Sequence, residues 1–464
     1  MNKEKKMLNL YDSLSGEKRE FIPITPNEIS IYCCGITVYD YCHIGHARSI
    51  IVFDVIVRYL RSQGWKVNYV RNITDVDDKI IKRANENKES CENLTERFIT
   101  AMHEDEKALD ILPPDHEPRA TEYMPRIIAL IDSIIERSYG YVADSGDVCF
   151  DVRRFEKYGA LSRRNIEDLI AGARVEIGAG KRDPLDFVLW KKAKSDEPHW
   201  DSPWGIGRPG WHIECSAMST ALLGIPFDIH GGGMDLKFPH HENEIAQSCA
   251  ASNDGFANYW MHVGLLNVNG EKMSKSLGNF FTIREVLEKY DAELIRYFMI
   301  SGHYRSPVNY AEENLSQLQS GLDRLYLALR DLPGAADEKN DFEEKFHAAM
   351  QDDFNTPLAM SVLFDMAHEI QRLREQGEIM VAAKLGKSMV KLAGVFGFLQ
   401  KDPNTYFHAE ISSDEIEKIE ALIAERQQAR ADKNWQRADE IRDVLKAMNI
   451  VIEDASGKTT WRRI

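Results

Sequence analysis

The sequence has no apolar run long enough to cross a membrane as a helix. The charged residues 1–6 are not followed by an apolar segment, so we expect no secretory signal. The 464 residues include only seven cysteines, and an odd, scattered set is not typical of a disulfide framework. We therefore expect a globular, monomeric chain in the cytoplasm, away from membranes, with about two to four domains for this length.

Positive charge is in deficit, because the formal net charge is −16 at pH 7. A surface of this sign repels nucleic acid and argues against non-specific binding over the whole molecule. The end of the chain differs, since residues 421–464 contain nine Lys or Arg and seven Asp or Glu. Charge alone does not predict an RNA partner, although it allows a local basic face.

The stretch 34–46, Cys-Gly-Ile-Thr-Val-Tyr-Asp-Tyr-Cys-His-Ile-Gly-His, organises the chain. A strand is predicted before it, at about 29–33, and an apolar helix after it, at about 47–63. The turn between a strand and a helix N-terminus is a common site for a phosphate or nucleotide, because free backbone N–H groups and the helix dipole meet there.

Two histidines, His43 and His46, lie at the predicted mouth of that helix. Gly45 between them removes a side chain where a flat base could approach the backbone. Alone, the motif is weak, because a histidine in a turn is more often a solvated cap. It gains weight from a second motif, Lys-Met-Ser-Lys-Ser at 272–276, which alone would be read as an exposed basic loop.

A second predicted strand, at 66–71, leads into Asn-Ile-Thr-Asp-Val-Asp-Asp. Polar residues at the carboxyl end of a parallel strand lie where α/β folds bind ligands, and we place Thr74 in the pocket. Asp75, Asp77 and Asp78 are better interpreted as helix caps.

Another predicted strand, at 226–229, delivers a glycine-rich segment that precedes a helix. Gly231, Gly232 and Gly233 could be a flexible loop, but at this position they favour close approach of the backbone to a nucleotide. Asp235 follows them and is able to accept hydrogen bonds from ribose hydroxyl groups.

His240 and Glu244 are four residues apart, so a helix would place them on one face, where they could bind one ion. Cys34 and Cys215 supply further soft ligands, and two Cys, one His and one Glu form a plausible zinc set. These residues come from separate segments, so spacing does not prove the site. Buried cysteines that act as small apolar residues are the alternative.

The order of patterns predicts an α/β protein: a Rossmann-like parallel-sheet catalytic domain split by an insertion, then an α-helical bundle and a small C-terminal domain. A leucine stripe at steps of three and four from 315 to 332 is typical of a packed bundle helix. The predicted boundaries are 1–112 and 204–260 for the two catalytic halves, 113–203 for the insertion, 261–310 for the lysine-motif region, 311–400 for the bundle and 401–464 for the last domain, with a linker at 401–410.

Together these segments resemble cysteinyl-tRNA synthetases, a family of class I aminoacyl-tRNA synthetases. The resemblance rests on Gly-Ile-Thr-Val-Tyr-Asp, His-Ile-Gly-His, Arg-Asn-Ile-Thr-Asp, Gly-Trp-His-Ile-Glu-Cys-Ser, His-Gly-Gly-Gly, Phe-Pro-His-His-Glu-Asn-Glu and Lys-Met-Ser-Lys-Ser, which run in family order over almost the whole chain.

The resemblance implies an enzyme that activates L-cysteine with ATP and Mg²⁺ and transfers it to tRNA(Cys). It implies one zinc ion per chain, which selects the cysteine thiolate. The residues expected to act follow from the matching motifs: His43, His46, Lys272 and Lys275 in catalysis; Gly45, Gly231, Gly232, Gly233, Asp235 and Lys275 with ATP; Gly35, Thr74, Trp211 and His230 with the amino acid; Cys34, Cys215, His240 and Glu244 with zinc; Arg430, Trp435, Asp439 and Asp454 with the anticodon.

Two alternatives stay open. A cysteine ligase of mycothiol synthesis shares this adenylation site but lacks the C-terminal region, so residues 411–464 argue against it. A non-catalytic, synthetase-like RNA-binding protein would not need the histidine and lysine motifs, so their presence argues against that alternative.

Overall fold

The computed structural model describes residues 7–165, 180–252, 255–273, 278–408, 413–448, 450–455 and 458–463. The chain divides into two compact units. The first comprises residues 1–319, 340–363 and 395–397, and the second comprises 320–339, 364–394 and 398–464. No helix among the described residues has the length and apolar character that a membrane crossing requires.

The strands are numbered in chain order. They are β1 (Asn9–Asp12), β2 (Glu17–Glu20), β3 (Glu28–Thr37), β4 (Lys66–Thr74), β5 (Gly140–Val142), β6 (Val148–Phe150), β7 (Phe187–Lys192), β8 (Gly207–Pro209), β9 (Phe227–Gly233), β10 (Ala257–Val263), β11 (Leu266–Val268), β12 (Glu271–Lys272), β13 (Val308–Tyr310), β14 (Ile450–Ala455) and β15 (Lys458–Arg463).

The described α-helices are numbered in the same way. They are α1 (Ile44–Ser62), α2 (Asp78–Asn87), α3 (Cys91–Ala108), α4 (Met124–Glu136), α5 (Trp211–Leu223), α6 (His240–Ala251), α7 (Ile283–Leu287), α8 (Ala292–Ile300), α9 (Glu312–Leu329), α10 (Asp341–Gln351), α11 (Thr356–Glu375), α12 (Ile379–Ala393), α13 (Pro403–His408), α14 (Ser413–Ala431) and α15 (Trp435–Ala447).

The first unit is built on a parallel sheet with the strand order β10-β9-β3-β4. Its strands carry apolar residues on both faces, as parallel strands covered by helices do. Tyr32, Val70 and Phe227 are completely buried in this core. The predicted α/β class is confirmed, and the carboxyl ends of β3, β4 and β9 meet at one edge of the sheet.

The insertion contributes α4 and an antiparallel sheet with the order β5-β6-β7-β8. Within 113–203 the sequence pattern predicts a helix at about 121–138 and a hairpin at about 141–151. The helix α4 begins slightly later, at Met124, after a 3-10 turn over Ala120–Tyr123. The predicted hairpin is present as β5 and β6.

Two of three local predictions differ from the structure. Gly231, Gly232 and Gly233 belong to β9 itself and not to a loop after it. The extended end that the sequence predicts at 450–464 is present as the two strands of an antiparallel hairpin, β14 and β15. A linker was predicted at 401–410, but α13 forms there, because Tyr406 stacks on Tyr326 with ring centroids 3.7 Å apart.

The second unit is helical apart from its terminal hairpin. The predicted leucine stripe lies on α9, where Leu322 and Leu325 are completely buried. A small core joins α14, α15 and the hairpin, and Trp461 is buried in it while its Nε1–H donates to Glu420. On sequence alone, Trp461 could be a residue that stacks on RNA bases or a core aromatic, and its burial shows that it is a core aromatic.

Candidate active site

A cleft of about 440 Å³ opens at the carboxyl edge of the parallel sheet, within the first unit. It brings together residues from most of the sequence motifs. The predicted site residues that line it are Cys34, Gly35, His43, Gly45, His46, Trp211, Gly233, Asp235 and Lys272. The predicted convergence of the histidine turn, the glycine strand and the lysine motif is present.

The histidine turn is a reciprocal helix cap. His43 is the N-cap of α1, and its Nδ1 accepts a hydrogen bond from the backbone N–H of His46 at 3.2 Å. In return, Nδ1 of His46 accepts from the backbone N–H of His43 at 3.3 Å. These bonds satisfy two of the N–H groups that a helix N-terminus leaves free.

The cap fixes the chemistry of both rings. Because each Nδ1 is an acceptor, each neutral ring carries its proton on Nε2 and is a donor there. Burial, then the neighbouring His43 and Lys79, lower the pKa of His46 well below its usual value. His46 is therefore a neutral hydrogen-bond donor at physiological pH.

Two cysteines, a histidine and a glutamate converge at the cleft; Cys34 lines it, the other three are buried behind Cys34, and we call the four together the floor of the cleft. Cys34 comes from β3, Cys215 from α5, and His240 and Glu244 from one face of α6. One ligand atom from each lies within 4.8 Å of the others. Sγ of Cys34 is 3.5 Å from His240 Nε2 and 3.4 Å from Glu244 Oε1.

The carboxylate of this cluster and one of its two thiols favour a positive charge close to them. Hydrogen bonding with Cys34 lowers the pKa of Cys215 to about 6. Burial alone would raise the pKa of Glu244, but His230 and His240 hold it well below its usual range. Burial would lower the pKa of His240, yet Glu244 and Cys215 raise it to about 10.

These residues fit a zinc ion on their own chemistry. Two sulfurs, an imidazole nitrogen and a carboxylate oxygen are the donor types that zinc prefers, and four ligands about 2.0–2.3 Å from one ion stand roughly 3.5 Å apart. The spacings around Cys34 agree with this value. The donors are buried except for Cys34, which is part-exposed at the cleft.

A second, overlapping set shares two of these donors. Cys34 and Glu244 also lie within 4.8 Å of ligand atoms of His230 and His241. His230 Nε2 is 2.8 Å from Glu244 Oε2, and His241 Nδ1 is 2.9 Å from His262 Nε2. His230 was predicted in the amino-acid pocket, but it is completely buried beside the cluster and is not among the lining residues of the cleft.

Thr74 and Gly35 meet at Asn72. Thr74 is buried, and its hydroxyl accepts from Asn72 Nδ2 at 3.3 Å, so it lies outside the residues that line the cleft. The backbone N–H of Gly35 donates to Asn72 Oδ1 at 2.9 Å. A Cβ at Gly35 would lie 1.6 Å from the Asn72 carbonyl oxygen, so this close approach of β3 and β4 requires glycine.

The three consecutive glycines, 231–233, have different roles. A Cβ at Gly231 would lie 2.1 Å from the Phe53 ring, so packing of α1 on the sheet accounts for this glycine. Gly232 is buried, while Gly233 and the exposed Asp235 line the cleft. Trp211 forms another part of the wall, with its ring centroid 4.3 Å from that of His240.

The lysine motif begins on β12, where Lys272 is exposed and lines the cleft. Lys275 lies outside the described residues. The segment after the motif is attached to the histidine turn, because the N–H of Ile44 donates to Phe281 and the N–H of Ile283 donates to Cys42.

Of the three aspartates predicted as helix caps, Asp77 is confirmed as one, whereas Asp75 and Asp78 have other partners. Asp77 is the N-cap of α2 and accepts from the N–H of Lys79, while Asp75 accepts from the N–H and hydroxyl of Thr121. Asp78, in the first turn of α2, forms ion pairs with basic residues of the insertion sheet.

The RNA candidates belong to the second unit. Trp435 is 60% exposed at the start of α15, and Arg430 and Asp439 are also exposed. Asp439 is 3.4 Å from Arg442. Asp454 lies on β14, and its side chain is outside the described part of the chain.

Sequence reasoning missed several polar residues around the cluster. His241 and His262 lie deeper in the protein than the cluster, and His262 Nδ1 is 2.8 Å from the Ser13 hydroxyl. His241 adjoins the predicted ligand His240, which is the one signal that could have identified it. His212 Nδ1 is 2.8 Å from His240 Nδ1 and orients that ring.

Three family models match the chain. Residues 20–320 match the catalytic domain of class I (C) tRNA synthetases, 345–400 match the DALR domain, and 413–462 match the anticodon-binding domain of cysteinyl-tRNA ligase. The last match argues against the amino-sugar ligase alternative, which lacks that region.

Solved structures share the fold. Mycobacterium tuberculosis methionyl-tRNA synthetase in complex with methionyl-adenylate superposes with a TM-score of 0.56 at 15% identity, over 80% of this chain and 89% of that chain. A putative arginyl-tRNA synthetase of Campylobacter jejuni gives 0.54 at 13% identity, over 81% and 94%.

Curated relatives match at high identity along the chain. A cysteine--tRNA ligase of Shewanella pealeana is 57% identical over 98% of this chain and 100% of the relative. That of Legionella pneumophila strain Paris is 57% identical over 99% and 100%, and that of Coxiella burnetii strain Dugway 5J108-111 is 56% identical over 98% and 100%. The chain therefore belongs to the cysteinyl-tRNA synthetase family of class I aminoacyl-tRNA synthetases, the enzymes that charge tRNA with cysteine.

Proposed function

We propose that this enzyme activates L-cysteine with Mg²⁺-ATP, selects it through zinc and transfers it to the 3′ end of tRNA(Cys). The observation that carries the proposal is the convergence of Cys215, His240 and Glu244 on Cys34, which lines the same cleft as the two histidines. Cysteine activation requires one group that selects the thiol and another that binds the phosphates of ATP. Both would lie in one cleft here.

In the first step, a carboxylate oxygen of cysteine attacks the α-phosphorus of ATP, and pyrophosphate leaves. His43 and His46 present Nε2–H donors at the helix N-terminus, where they stabilise negative charge that develops on the phosphates. Lys272, with Lys275, would neutralise the leaving pyrophosphate. In the second step, a hydroxyl of the terminal ribose attacks the activated carbonyl, and AMP leaves.

The floor of the cleft selects the amino acid. Cysteine and serine differ by one atom, which an apolar pocket separates poorly. A zinc ion held by Cys34, Cys215, His240 and Glu244 would bind a thiolate in preference to a hydroxyl group. Trp211 stands over His240 and limits the space beside this floor.

The test is transfer of labelled cysteine to total tRNA in the presence of ATP. We expect acid-stable label that RNase removes. If cysteine-dependent pyrophosphate exchange occurs without charging, the amino-sugar ligase is the better explanation. If neither exchange nor charging occurs, a non-catalytic RNA-binding protein is the better explanation.

A further inference from the structure

Arg48, on α1, is a buried arginine in the wall of the cleft, and no carboxylate among the described residues forms an ion pair with it. It follows His46 by two positions and is only 1% exposed. Burial lowers its pKa to about 10, and its Nε and Nη1 have no hydrogen-bond partner within the described part of the chain. A buried charge that no carboxylate balances costs free energy, so another property of Arg48 must account for its position.

The guanidinium group of Arg48 holds a loop. Its Nη2 donates to three backbone carbonyls, those of His303 at 3.1 Å, Tyr304 at 3.4 Å and Ser306 at 3.2 Å. Nη2 carries two N–H groups, so the three carbonyls share them. The loop 303–306 is thereby fixed to the helix whose first turn presents the two histidines of the cap.

The same loop supports the strands that carry the lysine motif. The N–H of Gly264 donates to the Tyr304 carbonyl at 2.8 Å, and the N–H of Val308 donates to the Leu265 carbonyl at 3.0 Å. Strand β13 then pairs with β11, and β11 pairs with β12, which contains Lys272. A continuous line of hydrogen bonds thus leads from α1 through Arg48 to the strand of Lys272.

A comparison with Arg296 shows what is particular about Arg48. Arg296 is also completely buried and also donates to carbonyls, those of Leu109 and Phe396, but Asp54 on α1 balances its charge at 2.5 Å. Arg296 is not among the lining residues of the cleft, whereas Arg48 is. A carboxylate beside Arg48 would repel the phosphates of ATP, so neutral carbonyls are the partners that suit this wall.

We propose that Arg48 is a positioning residue that sets the distance between the two histidines and Lys272, and so fixes the geometry of the first chemical step. The inference rests on the proposed function, in which the histidines and the lysine act on one triphosphate. A misplacement of about 1 Å is enough to slow a reaction that depends on orientation by about 100-fold.

Cysteine-dependent pyrophosphate exchange is measured for R48K and for the matched control R296K. Lysine keeps the charge at both positions and removes the planar fork that reaches several carbonyls. We expect R48K to lower kcat for exchange about 30- to 100-fold, because Lys272 is then misplaced at the triphosphate, and R296K to lower it less than about threefold. Single-turnover transfer from preformed adenylate should be nearly unchanged in both, since pyrophosphate has left by then. Circular dichroism and thermal unfolding establish that both variants fold.

A double-mutant cycle with K272M tests the route itself. If Arg48 acts by placing Lys272, R48K should cost less than about fivefold in the K272M background. G264A breaks the same link from the strand side, because a Cβ at Gly264 would lie 2.3 Å from the Ser306 carbonyl oxygen. It should show the same loss of exchange and the same coupling to K272M, and it replaces R48K in the cycle if R48K does not fold.

Undiminished exchange in folded R48K would overturn the inference. Equal losses in R48K and R296K, or in exchange and transfer, would also overturn it, because Arg48 would then support the fold alone. A full loss that persists in the K272M background would mean that Arg48 acts on the ligand itself, again against the inference. These outcomes leave the proposed function intact, whereas a wild type that neither exchanges nor charges tRNA would overturn the proposed function and this inference with it.

Discussion

The imidazole rings of His43 and His46 are stacked, with centroids 3.5 Å apart and an interplanar angle of 19°. Each Nδ1 accepts from the backbone N–H of the other residue. The pair therefore caps helix α1 through Nδ1, and we propose that the Nε2–H of His46 donates to the ligand.

Substitutions that imitate one nitrogen at a time should separate these tasks. In H46N the amide oxygen can replace Nδ1 in the cap, whereas in H46Q the longer amide reaches the position of Nε2. We expect H46Q to retain more pyrophosphate exchange than H46N, by about 10- to 100-fold, because a hydrogen bond to a phosphate is charge-assisted.

Thermal unfolding provides the control for the comparison of H46N with H46Q. H46N should keep a midpoint close to that of the wild type, since the cap persists, whereas H46Q should be less stable by about 1 kcal/mol. Equal loss of exchange in both variants would mean that the Nε2 donor has no separate role.

The proposed metal set predicts a clear contrast between two neighbouring cysteines. Cys33 and Cys34 are adjacent, yet the buried Cys33 thiol lies near the Cys34 carbonyl, at 3.7 Å, and belongs to neither ligand set. C34A should lose zinc, whereas C33A, with the same truncation, should retain about one zinc per chain. Elemental analysis after dialysis against a weak chelator measures this, and a zinc content that both variants share would contradict the assignment.

Arg284 should affect only the first chemical step. It follows the lysine motif and donates to the Ala101 carbonyl at 3.0 Å and to Glu104 at 2.7 Å, which ties the motif to α3. We expect R284M to slow pyrophosphate exchange about tenfold, because the lysines then stand less well placed at the phosphates. Single-turnover transfer from preformed adenylate should be unchanged, and an equal loss in both assays would contradict this role.

A pH effect is expected away from the cleft. His103 Nε2 is 2.6 Å from Glu117 Oε2, and this hydrogen bond raises the pKa of His103 above its usual value. Its stabilising contribution is present below about pH 6.5 and is lost as the pH rises through the raised pKa. His103 is half-exposed, so the contribution is about 0.5 kcal/mol or less.

The variant E117Q tests this directly. In NMR titrations, the pKa of His103 should fall toward 6.5 in E117Q, while E104Q should leave it unchanged. The wild type should also lose slightly more unfolding free energy than E117Q between pH 6 and 8. An unaltered His103 titration in E117Q would exclude the ion pair in solution.

The sequence alone predicted the structure where the pattern depends on residues that are close together in the chain. The spacing of His240 and Glu244 fixes one helix face, and the apolar pattern before Gly64 fixes α1. The short helix α13 has too few residues for a periodic pattern, and it forms because Tyr406 stacks on a residue of another helix. Tertiary packing decides such segments.

Contacts between distant segments could not be predicted. Glu242 accepts from amides about 80 positions earlier, so nothing near it in the sequence marks it as an anchor. His262, on β10, contacts His241, which lies on α6, so the pair joins two separate elements. The burial of Thr74 behind Asn72 likewise depends on how two parallel strands approach each other, which the motif alone does not contain.

We propose that the floor of the cleft selects cysteine through a metal ion. The most direct measurement is pyrophosphate exchange with cysteine and with serine, on zinc-loaded protein and on metal-stripped protein shown to be folded by circular dichroism. We predict that removal of zinc lowers the ratio of kcat/KM for cysteine to that for serine by about 100-fold or more, and that added zinc restores it. An unchanged preference for cysteine in folded, metal-free protein would contradict the account.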